Sequence, residues 1–213
     1  MRSSAIYQSE YSASMCDMTV HKIINSILQS CTYILSKEDS DKVCLIDCGD
    51  IEPILTYLKE NNKVVASVFL THAHYDHVFG LKDLLSRYPD IKVFGNKETL
   101  EGLKDEDFTL SYLYEEDFML ALSDDQKKLL VDKQPIDVLG REGYCIATPG
   151  HDLDCMTYVL GNMIFTGDSY NPNSEVFTKW SRSDASLALQ NENRIKDLIH
   201  DNNLAVYPGH LID

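Results

Sequence analysis

The stretch Thr71-His72-Ala73-His74-Tyr75-Asp76-His77 constrains this chain more than any other, because four metal-capable side chains fall within six residues. The run before it, Val64-Val65-Ala66-Ser67-Val68-Phe69-Leu70, is apolar and β-branched, the composition of a buried strand. The histidines therefore leave the carboxyl end of a strand, where open sheets place their sites. In extended backbone an H-x-H pattern points two imidazoles the same way. Asp76 and His77 then turn back, which suits a second cation beside the first.

The same grammar recurs. Val43-Cys44-Leu45-Ile46 runs into Asp47, and Ile146-Ala147-Thr148-Pro149-Gly150 runs into His151. Met163-Ile164-Phe165-Thr166-Gly167 runs into Asp168, and Leu204-Ala205-Val206-Tyr207-Pro208-Gly209 into His210. Glycine before each of the last three ligand candidates permits a sharp turn and close backbone approach. His72, His74, Asp76, His77, His151, Asp168 and His210 exceed what one tetrahedral zinc needs. Two ions sharing one carboxylate would use all seven. Imidazole with carboxylate suits Zn²⁺ first, with iron and manganese as competitors. His21 and His200 lack the strand-end context and are read as structural.

Between these turns the chain alternates strands and helices. Residues 19–25 and 31–36 read as an antiparallel pair and residues 42–46 as a third strand. Asp50 reads as the N-cap of a helix over 51–60, with Pro53 tolerated in its first turn. Gly80 opens a helix with Leu81, Leu84, Leu85 and Tyr88 on one face, closed by Pro89. A strand over 91–94 and a helix from Asn96 to Leu103 follow. Residues 143–147, 157–160, 163–166 and 204–207 read as strands, and residues 184–199 as an amphipathic helix. The order suggests two similar α/β halves.

Residues 101–125 stand apart. They hold nine acids against one lysine, with Phe108, Tyr112, Tyr114 and Phe118 among them. They read as a mostly helical insertion, either a solvated face or a wall whose aromatics shape a pocket. Residues 1–17 are Ser- and Tyr-rich and read as a flexible leader, which leaves residues 18–213 as one domain.

The net charge of −15 disfavours nucleic acid and anionic membrane as partners, since phosphate binding needs a basic face. A small-molecule partner is expected instead. No apolar run reaches membrane-spanning length, and residues 3–14 lack the apolar core of a secretory signal. None of the six cysteines forms a C-x-x-C pair. Packed thiols in a cytoplasmic protein are the expectation.

The ordered set H-x-H-x-D-H, T-P-G-H, F-T-G-D and P-G-H resembles the metallo-β-lactamase superfamily, in its glyoxalase II-like (hydroxyacylglutathione hydrolase-like) branch. The resemblance covers about residues 19–210. It implies an α/β fold, a four-layer αββα sandwich with the site along one edge between the sheets. Position by position, it implies that His72, His74 and His151 hold one metal and that Asp76, His77 and His210 hold a second. Asp168 would bridge the two, and Asp47 would orient a ligand imidazole. The β-lactamases of the family typically carry Cys where Asp168 stands. Glutathione-thioester hydrolases add a basic helical segment after the last histidine, of which residues 211–213 show nothing.

The function implied is a dinuclear metal-dependent hydrolase with two Zn²⁺ per chain. A hydroxide bridging the metals would attack a thioester, lactone or other activated ester. Asp76 would both bind metal and direct that hydroxide. Two alternatives are a mononuclear iron dioxygenase acting on persulfides and a metal-binding module without turnover. Tyr75, Tyr170, Lys179 and Arg182 are the candidate substrate contacts, the last two as a basic cluster beside Trp180 that would receive an anionic group.

Overall fold

Alternation and β-branching decide the first sheet. The computed structural model describes residues 18–211, so the expected leader lies outside the described residues. Strands β1 (Thr19–Ile24), β2 (Cys31–Ser36), β3 (Lys42–Ile46), β4 (Val64–Phe69), β5 (Lys92–Gly95) and β6 (Lys127–Leu129) lie side by side in chain order. The first three pair antiparallel, and β3 to β6 pair parallel. Parallel neighbours need crossovers. These run through α1 (Ile51–Glu60), through α2 (Tyr75–Val78) with α3 (Leu81–Arg87), and through α4 (Lys97–Gly102) with the segment after it.

The second sheet has the order β11-β10-β9-β8-β7, from β7 (Pro135–Val138), β8 (Arg141–Ala147), β9 (Met156–Leu160), β10 (Met163–Gly167) and β11 (Ala205–Pro208). Its pairs are antiparallel except β10 with β11. That parallel step crosses through α5 (Ala185–Asn202), whose N-cap Asp184 accepts from the N–H groups of Ser186 and Leu187. The helix runs three residues past its expected end and stops where Asn203 turns left-handed, at φ 49°.

Three apolar clusters divide the molecule into four layers. Ile54, Leu58, Leu81 and Leu84 pack the first sheet's Leu45 and Val68 against α1 and α3. Tyr33, Leu35 and Phe69 of the first sheet meet Tyr158, Leu160 and Phe165 of the second. Ile164 and Leu204 meet Ile195 of α5. Each fully buried large side chain contributes about 1.5–3 kcal/mol. The order helix, sheet, sheet, helix is the expected αββα sandwich. Among the described residues, no helix is long and apolar enough to cross a membrane.

Two strands and one segment differ from expectation. β6 is a three-residue edge strand, too short to show a period. β7 alternates exposed and buried residues, a pattern present in Pro135-Ile136-Asp137-Val138 but interrupted by turn residues on both sides. Residues 101–125 are not mostly helical. Past the end of α4 they hold a single α-turn at Glu106–Thr109, a 3₁₀ turn at Ser111–Tyr114, and an extended return. Leu110 and Glu115 adopt φ 60° and 56°, and these left-handed residues stop each turn. Nor is the segment only a solvated face, because Leu110, Phe118 and Leu122 are buried.

Candidate metal centre

The loops leaving β3, β4, β8, β10 and β11 meet at one edge of the sandwich. The Thr71 carbonyl accepts from the Met156 N–H at 2.8 Å, and the Gly209 carbonyl from the Cys31 N–H at 2.7 Å. Gly167 turns with φ 50°, and a Cβ there would lie 2.6 Å from the Thr71 side chain.

Each imidazole is anchored through one nitrogen and offers the other. The Nδ1 groups of His151 and His210 lie 2.8 Å from the Phe177 carbonyl and 2.9 Å from the Leu28 carbonyl. A carbonyl only accepts, so both rings carry the proton on Nδ1 and turn Nε2 inward. His77 Nδ1 lies 2.9 Å from Asp47 Oδ2, and His74 Nε2 lies 3.3 Å from Asp152 Oδ2. Thr71 Oγ1 donates to Asp47, so it accepts from His72 Nδ1 at 3.1 Å. His72 Nε2 is left buried without a hydrogen-bond partner.

The free nitrogens converge. His74 Nδ1 is 3.0 Å from His151 Nε2, and His77 Nε2 is 3.2 Å from His210 Nε2. Asp76 Oδ2 lies 3.4 Å from His77 Nε2 and 3.2 Å from His210 Nε2. Asp168 reaches both groups, with Oδ1 3.3 Å from His77 and Oδ2 3.3 Å from His151 and 3.2 Å from His210. Three sets result, each with donor atoms within 4.8 Å of one another: His72, His74 and His151; His72, His77 and Asp168; Asp76, His77 and His210. Buried lone pairs that face one another need a cation between them. The orphaned His72 Nε2 and Asp168 Oδ1 atoms fit the same requirement. The donor set therefore fits bound metal.

The metal-free electrostatics agree. Burial first, then the neighbouring imidazoles, hold His72 well below the usual histidine range. Burial also lowers His151. Burial would lower His77 and His210 too, but Asp76 and Asp168 overcome it, raising His77 and holding His210 up at about 10. Burial is likewise overcome at Asp168, which His210, His77 and His151 hold well below the usual carboxylate range. Protons thus sit where cations would replace them.

The seven candidate ligands meet here, and Asp47 Oδ2 lies behind His77, 2.9 Å from its Nδ1. Asp47 has φ 58°, with Oδ1 accepting the Thr71 N–H and Oδ2 the Thr71 hydroxyl, both at 2.7 Å. The residues that support His74 were missed. Asp152 is buried and pairs with Arg182, whose Nη2 lies 2.7 Å from Oδ1. His74 and Arg182 together hold the Asp152 carboxyl well below its usual range against the effect of burial. The signal was Asp152 itself, an acid directly after a ligand histidine.

Asp154 was also missed. It is fully buried and accepts the Ala73 N–H at 3.0 Å. Burial, then the Asp152 charge, push its carboxyl from 3.8 up to about 7. Between those values the folded chain keeps a proton that the unfolded chain has released. Stability therefore falls as pH rises from about 4 to about 7 and is level above. Asparagine has the shape of the protonated acid. In metal-free protein, Asp154→Asn is expected to match the parent near pH 4 and to exceed it by on the order of a few kcal/mol at pH 8. Urea unfolding at both pH values checks this, and equal stability at pH 8 would refute it.

A cavity of about 290 Å³ opens over the candidate ligands. Tyr75 lines it, as expected, packed against Tyr114 and Phe118 of the acidic segment. The other three expected substrate contacts do not. Tyr170 joins the cluster beneath α5 with Lys196 over its ring. Arg182 is held by Asp152 and lies 3.6 Å over the Phe108 ring. Lys179 is exposed outside the cavity. Sequence neighbourhood put Tyr170 beside Asp168 and Lys179 and Arg182 beside Trp180, but Trp180 itself and Phe177 form that wall. Leu110, Leu113 and Tyr114 bring the acidic segment into the opposite wall.

Residues 27–210 match the family model of the metallo-beta-lactamase superfamily. The chain belongs to that superfamily. It is 31% identical over 149 residues to a hydroxyacylglutathione hydrolase of Pseudoalteromonas translucida (strain TAC 125), covering 70% of this chain and 49% of that protein. The superfamily chain thus spans about half the length of this curated relative. Among solved structures it resembles BLEG-1, a B3 metallo-beta-lactamase, with a TM-score of 0.77 and 23% identity over 91% of this chain and 92% of that one. ETHE1 from Myxococcus xanthus gives 0.72 and 24%, over 92% and 77%. TTHA1623 in a di-iron-bound form gives 0.73 and 21%, over 91% and 93%. These likenesses carry the sandwich fold.

Proposed function

We propose that this chain is a dinuclear metal-dependent hydrolase of thioesters or other activated esters. The observation that carries the reading is the inward convergence of five anchored imidazoles on two carboxylates, one of which touches both groups. His72, His74 and His151 would hold one ion, and Asp76, His77 and His210 the other, with Asp168 shared. Two divalent ions so held would supply an acidified water and polarise the substrate carbonyl. Zinc suits the donors, and iron is the main competitor. The 31% identity to a hydroxyacylglutathione hydrolase supports the reaction class.

The chain's own residues do the rest. Asp47, Asp152 and two backbone carbonyls fix the ring orientations, so the site is preorganised. Asp76 keeps an acceptor oxygen at the cavity wall and directs the attacking water. Burial of the site excludes bulk water from one side. No Ser or Cys nucleophile is needed, and Cys31, Cys44, Cys48, Cys145 and Cys155 are buried free thiols.

Elemental analysis with a thioester assay before and after chelation tests the proposal. About two zinc per chain and chelator-sensitive turnover are expected. Asp76→Ala is expected to lower kcat/KM by on the order of a thousandfold with the far-ultraviolet circular dichroism unchanged. Full activity in that variant would overturn the role given to Asp76. One iron per chain with oxygen uptake on a persulfide would move the assignment to a dioxygenase.

A further inference from the structure

The cavity over the metal ligands has a one-sided chemistry. No lysine or arginine lines it among the described residues. Apart from Asp76 and Asp168 in the ligand set, the acid that lines it is Glu175. Two basic groups are engaged elsewhere, and a third, Lys179, is exposed outside the cavity. Arg182 is paired with Asp152 at 2.7 Å, and Lys196 with Glu192 at 2.7 Å. The Asn171 amide donates to the His210 carbonyl at 2.9 Å. Apart from Ser174, the rest of the wall is largely apolar and aromatic, with Leu28, Leu110, Leu113, Tyr114, Phe177 and Trp180 prominent in it. Leu28, Leu113 and Phe177 are exposed at its mouth.

We infer that the substrate's parts beyond the scissile carbonyl are uncharged and apolar, as in an aryl or alkyl acyl group on a neutral leaving group. This rests on the hydrolase reading and narrows it. An anionic conjugate such as a glutathione thioester would bring carboxylates to a cavity wall that, among the described residues, has no lysine or arginine to meet them. A carboxylate that loses water without gaining a partner weakens binding. An aromatic wall instead gains from burial of an apolar group. The −15 charge of the whole chain works in the same direction at longer range.

Trp180 is the only tryptophan, so its fluorescence reports occupancy of the cavity whether or not turnover occurs. The test titrates metal-loaded protein with two non-hydrolysable thioethers that share a benzyl group, N-acetyl-S-benzylcysteamine and S-benzylglutathione. It then compares kcat/KM for the phenylacetyl thioesters of N-acetylcysteamine and glutathione. The neutral partner is expected to be favoured by about 30-fold in both readouts. Glu175→Lys, an exposed change outside the ligand set, is expected to narrow that ratio to below about tenfold by admitting the anionic conjugate. Equal or stronger binding of S-benzylglutathione overturns the inference, as does absence of Trp180 quenching by either thioether. Preferential quenching by the neutral thioether with no hydrolysis of either thioester keeps the cavity's preference for a neutral apolar ligand and counts against the thioester-hydrolase reading. Equal turnover of both thioesters does the reverse.

Discussion

Asp168→Asn is expected to lower bound metal from about two ions per chain to less than one and turnover by on the order of a thousandfold or more. The reason is geometric. Asp168 alone among the acids reaches His77, His151 and His210, which belong to both groups of ligands. Asparagine keeps the shape but removes the charge and replaces one oxygen with a donor that points at imidazole nitrogens. Asp76 touches only His77 and His210, so Asp76→Asn should release one ion and retain the other. Metal analysis on both variants separates the two roles. Retention of both ions by Asp168→Asn would mean that the carboxylate is not shared.

Gly80→Ala should produce the largest loss of stability from a single methyl group. A Cβ on Gly80 would lie 1.9 Å from the Gly49 carbonyl oxygen and 3.1 Å from its carbon, and backbone cannot rotate away as a side chain can. The contact is tied on both sides. The Gly80 N–H donates to the Cys48 carbonyl at 3.0 Å, and the Cys48 N–H to the His77 carbonyl at 2.8 Å. Relief of the clash must push the turn carrying Asp47 away from the loop carrying His77. We expect a loss of at least about 3 kcal/mol, or a Tm lower by roughly 10 °C. The loosened Asp47–His77 bond should weaken metal binding about 10- to 100-fold. Thermal unfolding with and without chelator measures both. A Tm unchanged within a degree or two would show that the turn yields freely.

The architecture was legible because strand ends repeat one local pattern. The candidate ligands at 72, 74, 76, 77, 151, 168 and 210 each follow an apolar run, and a buried strand that ends in a polar turn has few places to put an imidazole except a sheet edge. β6 and β7 were not legible, since three or four residues show too little of a period to separate from loop. The helical reading of 101–125 rested on acids and aromatics in a row. It failed where Leu110 and Glu115 turned left-handed, which side-chain type does not announce. Lys179 and Arg182 looked like an anion receiver because they flank Trp180. What Arg182 does depends on Asp152, thirty residues earlier, and on Phe108, and a contact of that range has no local signal.

The candidate ligands come from both sheets. The loop after β4 brings His72, His74, Asp76 and His77, while the loops after β8, β10 and β11 bring His151, Asp168 and His210. Bound cations would therefore act as rivets through the open edge of the sandwich, adding to the hydrogen bonds that Thr71, Ala73 and His74 make there with Met156, Asp154 and Asp152. Loaded, the halves have to come apart together, because neither can leave without surrendering an ion. Depleted, that edge is expected to be the seam along which the molecule parts first and where a protease would gain its hold.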